Sequence, residues 1–397
     1  MGQARSKKEL KNIRPEEIET FMLKFKEGAG GKEKISREQF CRTYPIFCEF
    51  GNQFYLRLMS KEQGMTIQGK SFLKIIDRGL GHLDDLAAAL LDGFGDSKEQ
   101  IMRNTVKMYC EANAFTREDQ VRLYDYFEAQ NTWETNQLES FFSACPLFPH
   151  MAYFIFNRLI GRPGDSKMPT LNEKSIILSK VDQLVINSHL PFDRRKEWSL
   201  LFSNAVHGNS FLQMVRYING EGPVIVVIRS TRGRRFGFFA DHGVVAGPQY
   251  IGTSQCFLFQ CAPKMAVYNS TERTEKYVYL NFQQKQLPNG LGISGQDDVW
   301  PIFIREEFDK GVCQKNASSY EPCFVAEETE FSIKFVEVWR VGDKPQNTFD
   351  EAMGSANLKE KSIIDKDPEV KAVLELAGRP MHSTAYREPA PLLADES

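Results

Sequence analysis

The sequence predicts an α+β protein: an EF-hand-like helical N-terminal region, a β-sandwich with flanking helices, and an amphipathic helix near the C-terminus. Three observations predict it. Between residues 15 and 160, apolar side chains recur at three- and four-residue spacings, as helices with one buried stripe require. From residue 174 to 342 the pattern changes to short runs rich in β-branched and aromatic residues, the composition of strands. GRPGDSKMPTLNE, residues 161–173, lies between them with two Pro and two Gly among polar residues, and reads as a linker.

The totals set limits. A chain of 397 residues has room for two or three domains. Hydrophobic content of 42% and charged content of 26% are those of an ordinary globular protein. Thirty phenylalanines can furnish a large aromatic core. The formal net charge of −2 provides no global field for nucleic acid, so no nucleic-acid partner is expected. No apolar run reaches the roughly 18 residues of a membrane-spanning helix. The first 20 residues are charged and lack the apolar stretch of a signal peptide. Cysteines stand at 41, 48, 110, 145, 256, 261, 313 and 323, with no CxxC pair, so no metal site is expected. Cys256 and Cys261 fall in one strand, QCFLFQC, at an odd separation that puts them on opposite faces. All read as reduced, mostly buried thiols of an intracellular protein.

MGQARSKKEL, opening the segment 1–14, matches an N-myristoylation pattern, with Gly2 after the initiator Met and Ser6 at the required offset. Arg5, Lys7, Lys8 and Lys11 follow, and Arg14 closes the segment. One acyl chain binds a bilayer only marginally, and a basic cluster facing anionic lipid supplies the second signal. An unmodified N-terminus is the alternative.

In residues 15–160, ETFMLKF, FYLRLM, FLKII, LDDLAAALLDGF, IMRNTVKMY, QVRLYDYF and MAYFIFNRLI each carry the helical spacing. Three loops share an apolar residue followed by another five places on: Ile35/Phe40, Ile67/Phe72 and Trp133/Leu138. An EF-hand begins its short strand and exiting helix this way. The ligands are missing. With Ile35 at loop position 8, positions 1, 3, 5 and 12 hold Gly28, Gly30, Lys32 and Gln39, where calcium requires carboxylates. The loop at Trp133 offers Tyr126, Glu128, Gln130 and Gln137. Calcium binding is therefore not expected. A plain helical bundle explains the same spacing.

Residues 174–342 open with two expected helices, RRKEWSLLFSNA and SFLQMVRYI; in the second, Phe211, Met214, Val215 and Ile218 form one stripe. PVIVVIR and RFGFFA flank STRGR as a hairpin, and QCFLFQ, KYVYLNF, VWPIFI and FSIKFVEVWRV are further strands. Two motifs invite an enzymatic reading. HGNSF, residues 207–211, sets a histidine three places before a serine, but a nucleophile elbow needs GxSxG between a strand and a helix, and Leu212 stands where the last Gly belongs. Ser210 reads as a helix cap, Gly208 as a helix breaker and His207 as a turn residue with a structural hydrogen bond. GLGISG, residues 290–295, matches GxGxxG, but strands flank it on both sides, so it reads as a connection between strands rather than a dinucleotide site. Asp297 and Asp298 follow it as an isolated acidic pair. The hairpin turn carries Arg229, Arg232, Arg234 and Arg235, which suit an acidic partner or lipid headgroups, or a solvated turn.

Beyond residue 342, Asp367 and Pro368 start a short helix that Gly378 ends, over about residues 367–377. Val370, Val373 and Leu374 lie on its apolar stripe, which packs either on the protein itself or in a partner's groove. HSTAYREPAPLLADES has the composition of disorder.

Leu190-Pro191, Trp198, LLFS at 200–203, HGNSF, Gly222-Pro223, RFGFFA at 235–240, CFLF at 256–259, LPNGLGISGQ at 287–296 and VEVWRV occur in one order, and this order resembles a TLDc domain. Ser294 departs from it, standing where the family usually has Gly. With the N-terminal signal and the helical region, the architecture is similar to the mTOR-associated type of that family. The resemblance implies a non-enzymatic adaptor with no catalytic residues and no cofactor. The partners it implies are the V-ATPase peripheral sector and mTOR-pathway proteins, with a location at the cytoplasmic face of lysosomal or endosomal membranes and in the cytoplasm. TLDc proteins are also linked with oxidative stress. The rival expectation is therefore an oxidation-resistance enzyme, thiol-based or hydrolytic, with Cys313 or Cys323 as the reactive thiol.

Overall fold

The computed structural model describes residues 10–45, 50–62, 66–130, 138–295, 299–315 and 317–344. Gly2, Arg5, Lys7, Lys8, the loop at Trp133, Asp297, Asp298 and the C-terminal helix with Val370, Val373 and Leu374 lie outside the described residues.

The chain begins with α1 (Pro15–Gly28), β1 (Lys34–Ile35), α2 (Arg37–Thr43), α3 (Phe50–Glu62), β2 (Ile67–Gln68) and α4 (Gly69–Gly79). Pro15 starts α1 at a position whose N–H would have no helical partner in any case. The strands β1 and β2 pair antiparallel with Ile35 opposite Ile67, joining two helix–strand–helix units. The five-residue spacing has a packing cause: Ile35, Phe40, Ile67 and Phe72 are all fully buried. The Phe72 ring centroid lies 5.3 Å from Phe40, 5.4 Å from Tyr44 and 5.7 Å from Phe54. Gln39 is occupied otherwise than as a metal ligand: its side chain accepts from Ser36 N–H at 3.0 Å, half of a capping box. Then come α5 (Leu83–Gly93), α6 (Lys98–Ala112), α7 (Arg117–Ala129), α8 (Leu138–Ala144) and α9 (Leu147–Ile160). Gly161 ends α9 in the left-handed conformation, φ +91°.

The second half contains β3 (Thr170–Leu171), α10 (Lys180–His189), β4 (Glu197–Ser203), α11 (Asn204–His207), α12 (Phe211–Ile218), β5 (Val224–Ser230), β6 (Arg235–Ala240), β7 (Phe257–Ala262), β8 (Ala266–Asn269), β9 (Val278–Asn281), β10 (Gly290–Ile293), β11 (Ile302–Arg305), β12 (Lys310–Val312) and β13 (Glu330–Val341). The order β8-β7-β6-β5-β13-β12-β11-β10-β9 is antiparallel throughout; β4 also pairs with β13, and β3 runs parallel to β4. The long β13 belongs to both halves, pairing β12 through residues 330–332 and β5 through residues 333–340. The halves meet in one core: Val224, Val226 and Ile228 from one side, Leu291, Ile293 and Ile304 from the other. The alternate residues Ile225 and Val227, with Phe239, Phe257 and Trp339, belong to the core that runs on through the helices. Two buried faces explain why VIVVI is apolar at every position.

Three expectations change. RRKEWSLLFSNA is not a helix; most of it is β4, and only its last residues enter the short α11. Its Trp198, Leu201 and Phe202 mimic helical spacing because β4 is bulged. Leu200 faces Trp339 and Phe202 faces Val338, so Leu201 is an extra residue. The bulge sends Trp198 to the core shared with the helices and Phe202 to the sandwich core. GLGISG is not a connection; its first four residues are β10 itself. And α10 is a further helix ahead of the two expected ones, with Val181, Leu184 and Val185 buried at helical spacing and Ser179 and Asp182 forming its capping box.

The helical region and the sheet are joined at α7 and α10. Asp182, fully buried, accepts from Arg122 of α7 at 2.5 Å and from Arg235 of β6 at 2.6 Å. Arg122 also donates to the Cys261 carbonyl at 2.8 Å. Beside it, the Tyr126 hydroxyl meets His189 Nε2 at 3.0 Å. A second buried carboxylate, Glu337 of β13, accepts from Ser175 Oγ at 2.5 Å, Ile176 N–H at 2.7 Å and Trp339 Nε1 at 3.0 Å. It fixes the segment that leads into α10.

Candidate functional site

The HGNSF serine and histidine both serve the backbone. His207 ends α11, and its Nδ1 accepts from Ser203 N–H at 3.0 Å. Its ring lies 4.5 Å from Tyr217 and 5.5 Å from Phe202. Gly208 breaks the helix with φ +85°. Ser210 Oγ caps α12 by accepting from Gln213 N–H at 3.3 Å. These are the roles the sequence suggests, and none of them activates a hydroxyl.

In GLGISG, β10 is hydrogen-bonded to β9 on one side and β11 on the other, and among the described residues no helix starts after it to receive a phosphate. Gly292 is needed for close approach: a Cβ there would lie 2.6 Å from Phe303 and 2.8 Å from Trp300. Ser294 takes φ +68°, a region that favours glycine, and its buried Oγ lies 2.9 Å from Ser319 Oγ. The strain and the hydrogen bond oppose each other. Ser294→Ala keeps the strain and loses the bond, so it should destabilise by about 1 kcal/mol. Ser294→Gly loses both and should change stability by less than about 1 kcal/mol, as read by urea denaturation of the two variants side by side.

Among the described thiols whose titration is shifted, every one moves upward, and at Cys261 burial outweighs the nearby Arg235 and Arg122. Cys256 Sγ lies 3.0 Å from Asp241 Oδ1, and His242 Nδ1 lies 3.0 Å from Asp241 Oδ2. The carboxylate thus stands between thiol and imidazole, whereas nucleophilic chemistry needs the imidazole against the thiol. Burial, reinforced by the Asp241 charge, pushes the Cys256 thiol well above its ordinary value. Burial alone would raise the Asp241 carboxyl too, but hydrogen bonds from Cys256, Thr253 and His242 outweigh it and hold it below the usual value. Burial pushes Cys313 up to about 11 and Cys323 up to about 12. A thiolate nucleophile at neutral pH needs the opposite shift. Among the described residues no three His, Cys, Asp or Glu side chains gather as a metal site would require.

The basic turn divides by position. Arg235 is committed to Asp182 and to the Ile177 carbonyl at 3.0 Å. Arg234 pairs with Glu327 at 2.7 Å. Arg232 reaches Glu328 at 3.1 Å but remains 76% exposed, and it is the arginine of the three that presents most of its surface. Lys11, next to the undescribed N-terminal residues, is also exposed.

Residues 171–342 match the TLDc domain family. This stretch contains the sandwich, α10 to α12 and every motif above. This part of the chain is similar to a TLDc domain. The match begins at β3, three residues ahead of the boundary at 174. Chicken MTOR-associated protein MEAK7 (Gallus gallus) is 39% identical over 209 residues, covering 52% of this chain and 43% of that protein. The human protein of the same name (Homo sapiens) is 36% identical over 214 residues, covering 53% and 45%. Oxidation resistance protein 1 of Xenopus tropicalis is 24% identical over 178 residues, covering 44% and 20%. The matched region spans less than half of the length of each of these relatives.

The TLDc domain also presents features that sequence reading missed. Val206, 73% exposed, Leu212 and Tyr217 form an apolar outer face on α11 and α12. Tyr250, Tyr279, Trp300 and Phe303 form a third apolar cluster, apart from both cores. The four rings come from separate segments, so no local spacing announces them. The available signal is weaker: Tyr279 and Phe303 occupy the alternate positions of their strands, where a solvent-facing sheet places polar residues.

Proposed function

We propose that the chain is a non-enzymatic, lipid-anchored adaptor. It binds the V-ATPase peripheral sector at the cytoplasmic face of lysosomal and endosomal membranes and supports mTOR-linked growth signalling. The observation that carries this reading is the similarity, across the TLDc domain, to relatives named MTOR-associated protein MEAK7. The V-ATPase partner rests on the resemblance to TLDc proteins, and the membrane address on Gly2 with Arg5, Lys7, Lys8 and Lys11. The chemistry of the domain favours binding over catalysis, because His207, Ser210, Cys256 and Asp182 are all used in packing and capping. The paired units of residues 15–79 are read as an EF-hand-like scaffold that works without calcium: Gly28, Gly30, Lys32 and Gln39 offer no carboxylate.

The experiment is affinity capture of tagged protein from detergent-solubilised lysosomal membranes, read by mass spectrometry, for wild type and Gly2→Ala. Stoichiometric V-ATPase peripheral subunits with both forms, and membrane recovery with wild type alone, is the expected pattern. Good recovery of the bait without pump subunits would refute the partner. Equal membrane recovery of the two forms would refute the anchor. The oxidation-resistance alternative requires a hyper-reactive thiol, and a thiol-reactivity profile with Cys313 and Cys323 both slow at neutral pH would remove it.

A further inference from the structure

We infer that a pocket between α1, the end of α2, α6 and α9 binds a phosphate monoester, held by Lys24, Arg158 and the Tyr44 hydroxyl. The site lies in the helical region, outside the stretch that matches the TLDc family. It depends on neither the acylation nor the V-ATPase reading.

A pocket of about 410 Å³ opens here, lined by Lys24 of α1, Tyr44 and Pro45 after α2, Ala112 at the end of α6, and Arg158 and Leu159 of α9. That is the size of a small-molecule site rather than of a bare ion. Tyr44 is its anomaly. The residue is 2% exposed, and its ring sits among phenylalanines, with centroids 6.0 Å from Phe21, 5.2 Å from Phe40 and 5.4 Å from Phe72. Its hydroxyl has no hydrogen-bond partner. Tyr55 also packs on Phe40, but its hydroxyl donates to the Ile35 carbonyl at 3.0 Å. An aromatic core needs no hydroxyl, and a buried donor without an acceptor is costly. Phenylalanine would therefore serve packing alone better at position 44. Burial raises the Tyr44 hydroxyl above its ordinary value, so it remains a protonated donor.

The cations of the pocket are unpaired as well. Among the described residues neither Lys24 nor Arg158 has a carboxylate within ion-pair distance, whereas Arg57 pairs with Asp96, Arg78 with Asp92 and Arg162 with Glu17. Lys24 Nζ lies 5.2 Å from the centroid of the Tyr44 ring, so ammonium and phenol share one wall. No acidic side chain lines the pocket among the described residues. Two positive charges and three kinds of donor, ammonium, guanidinium and phenol, thus converge on one space. A phosphate monoester is their complement, with a charge of about −1.5 to −2 at neutral pH and three terminal oxygens that accept strong hydrogen bonds. A carboxylate brings less charge and one oxygen fewer. Pro45, Ala112 and Leu159 supply an apolar wall for the carbon side of the ester. The donors read the phosphate, which either a soluble molecule or a lipid headgroup carries.

The test uses the full, unacylated chain and two probes that carry the same group. β-Glycerophosphate in solution is followed by isothermal titration calorimetry, and phosphatidate in phosphatidylcholine vesicles by flotation. Phosphatidylserine vesicles of equal surface charge are the control. Tyr44→Phe removes only the hydroxyl. It should weaken phosphate binding about tenfold while leaving the melting temperature unchanged or raised. Lys24→Gln and Arg158→Gln should each weaken binding about tenfold too. With those losses, binding of β-glycerophosphate alone assigns a soluble ligand, binding of phosphatidate alone assigns a headgroup, and binding of both assigns the phosphate from either source. No binding of either probe at about millimolar concentration would overturn the inference. So would binding that all three variants leave unchanged, or that phosphatidylserine reproduces with the same losses. A lower melting temperature for Tyr44→Phe would also overturn it, because the hydroxyl would then have its partner within the fold.

Discussion

Asp182→Ala is expected to destabilise the chain by roughly 3–5 kcal/mol, the cost of removing one member of a buried charge network. The carboxylate has no solvent exposure and takes hydrogen bonds from Arg122, Arg235 and, at 2.8 Å, Ser179 N–H. The two guanidinium groups are themselves 16% and 18% exposed, so water cannot replace the lost oxygens. Removing the carboxylate leaves two like charges facing each other in a low-dielectric site. The three partners come from α7, α10 and β6, so the damage falls on the joint between helical region and sheet. Urea denaturation followed by far-ultraviolet circular dichroism and by tryptophan fluorescence should show both transitions moving to lower urea. Arg232→Ala, on the exposed side of the same hairpin, should change stability by less than about 0.5 kcal/mol. A loss below about 1 kcal/mol for Asp182→Ala would show that the network does not support the joint.

The contrast between Arg232 and Arg235 illustrates what sequence could and could not convey. The hairpin, the α12 stripe, the Ser210 cap and the opposite faces of Cys256 and Cys261 were all legible, because each depends on residues a few places apart. The fate of an arginine in the turn depends on Asp182, 53 residues away from Arg235 in sequence, and the four arginines look alike without it. The β4 segment misled for a different reason. One bulge residue, Leu201, replaced strand alternation with the spacing of a helix. In α10 both the Ser179–Asp182 box and the Val181, Leu184, Val185 spacing were legible, but the helix is only ten residues long and Ile186 is buried off that stripe. The aromatic cluster needed the sheet register itself, since Tyr250, Tyr279 and Trp300 become neighbours only after β9, β10 and β11 pair.

Acid is expected to weaken the same joint. Between pH 7 and 4.5 the chain should lose roughly 2–3 kcal/mol of stability through His189 alone. Burial, with Arg195 nearby, holds this imidazole down to about 4, against an ordinary value of 6.5. Between those two values the unfolded chain binds a proton that the folded chain does not, so stability falls as pH falls through the window and levels off below about 4. His150 is lowered as well, chiefly by burial, and acts in the same direction. The structural consequence is specific. Tyr126 stays a protonated donor, because burial raises its hydroxyl well above the ordinary value, so neutral Nε2 must be the acceptor in their 3.0 Å bond. Protonating His189 removes that acceptor and places a positive charge near Arg195. His189→Phe should therefore flatten the pH dependence while forfeiting the Tyr126 bond at neutral pH. Hydrogen exchange at pH 4.5 should show α7 and α10 opening before the sandwich strands β5 and β13. Those strands are hydrogen-bonded on both sides, and their inward faces in the sandwich core are apolar. Equal protection of helices and strands at both pH values would assign the acid sensitivity to another group. The expected order would make α7 and α10 the part of the chain that responds to acid, while the TLDc sandwich keeps its shape.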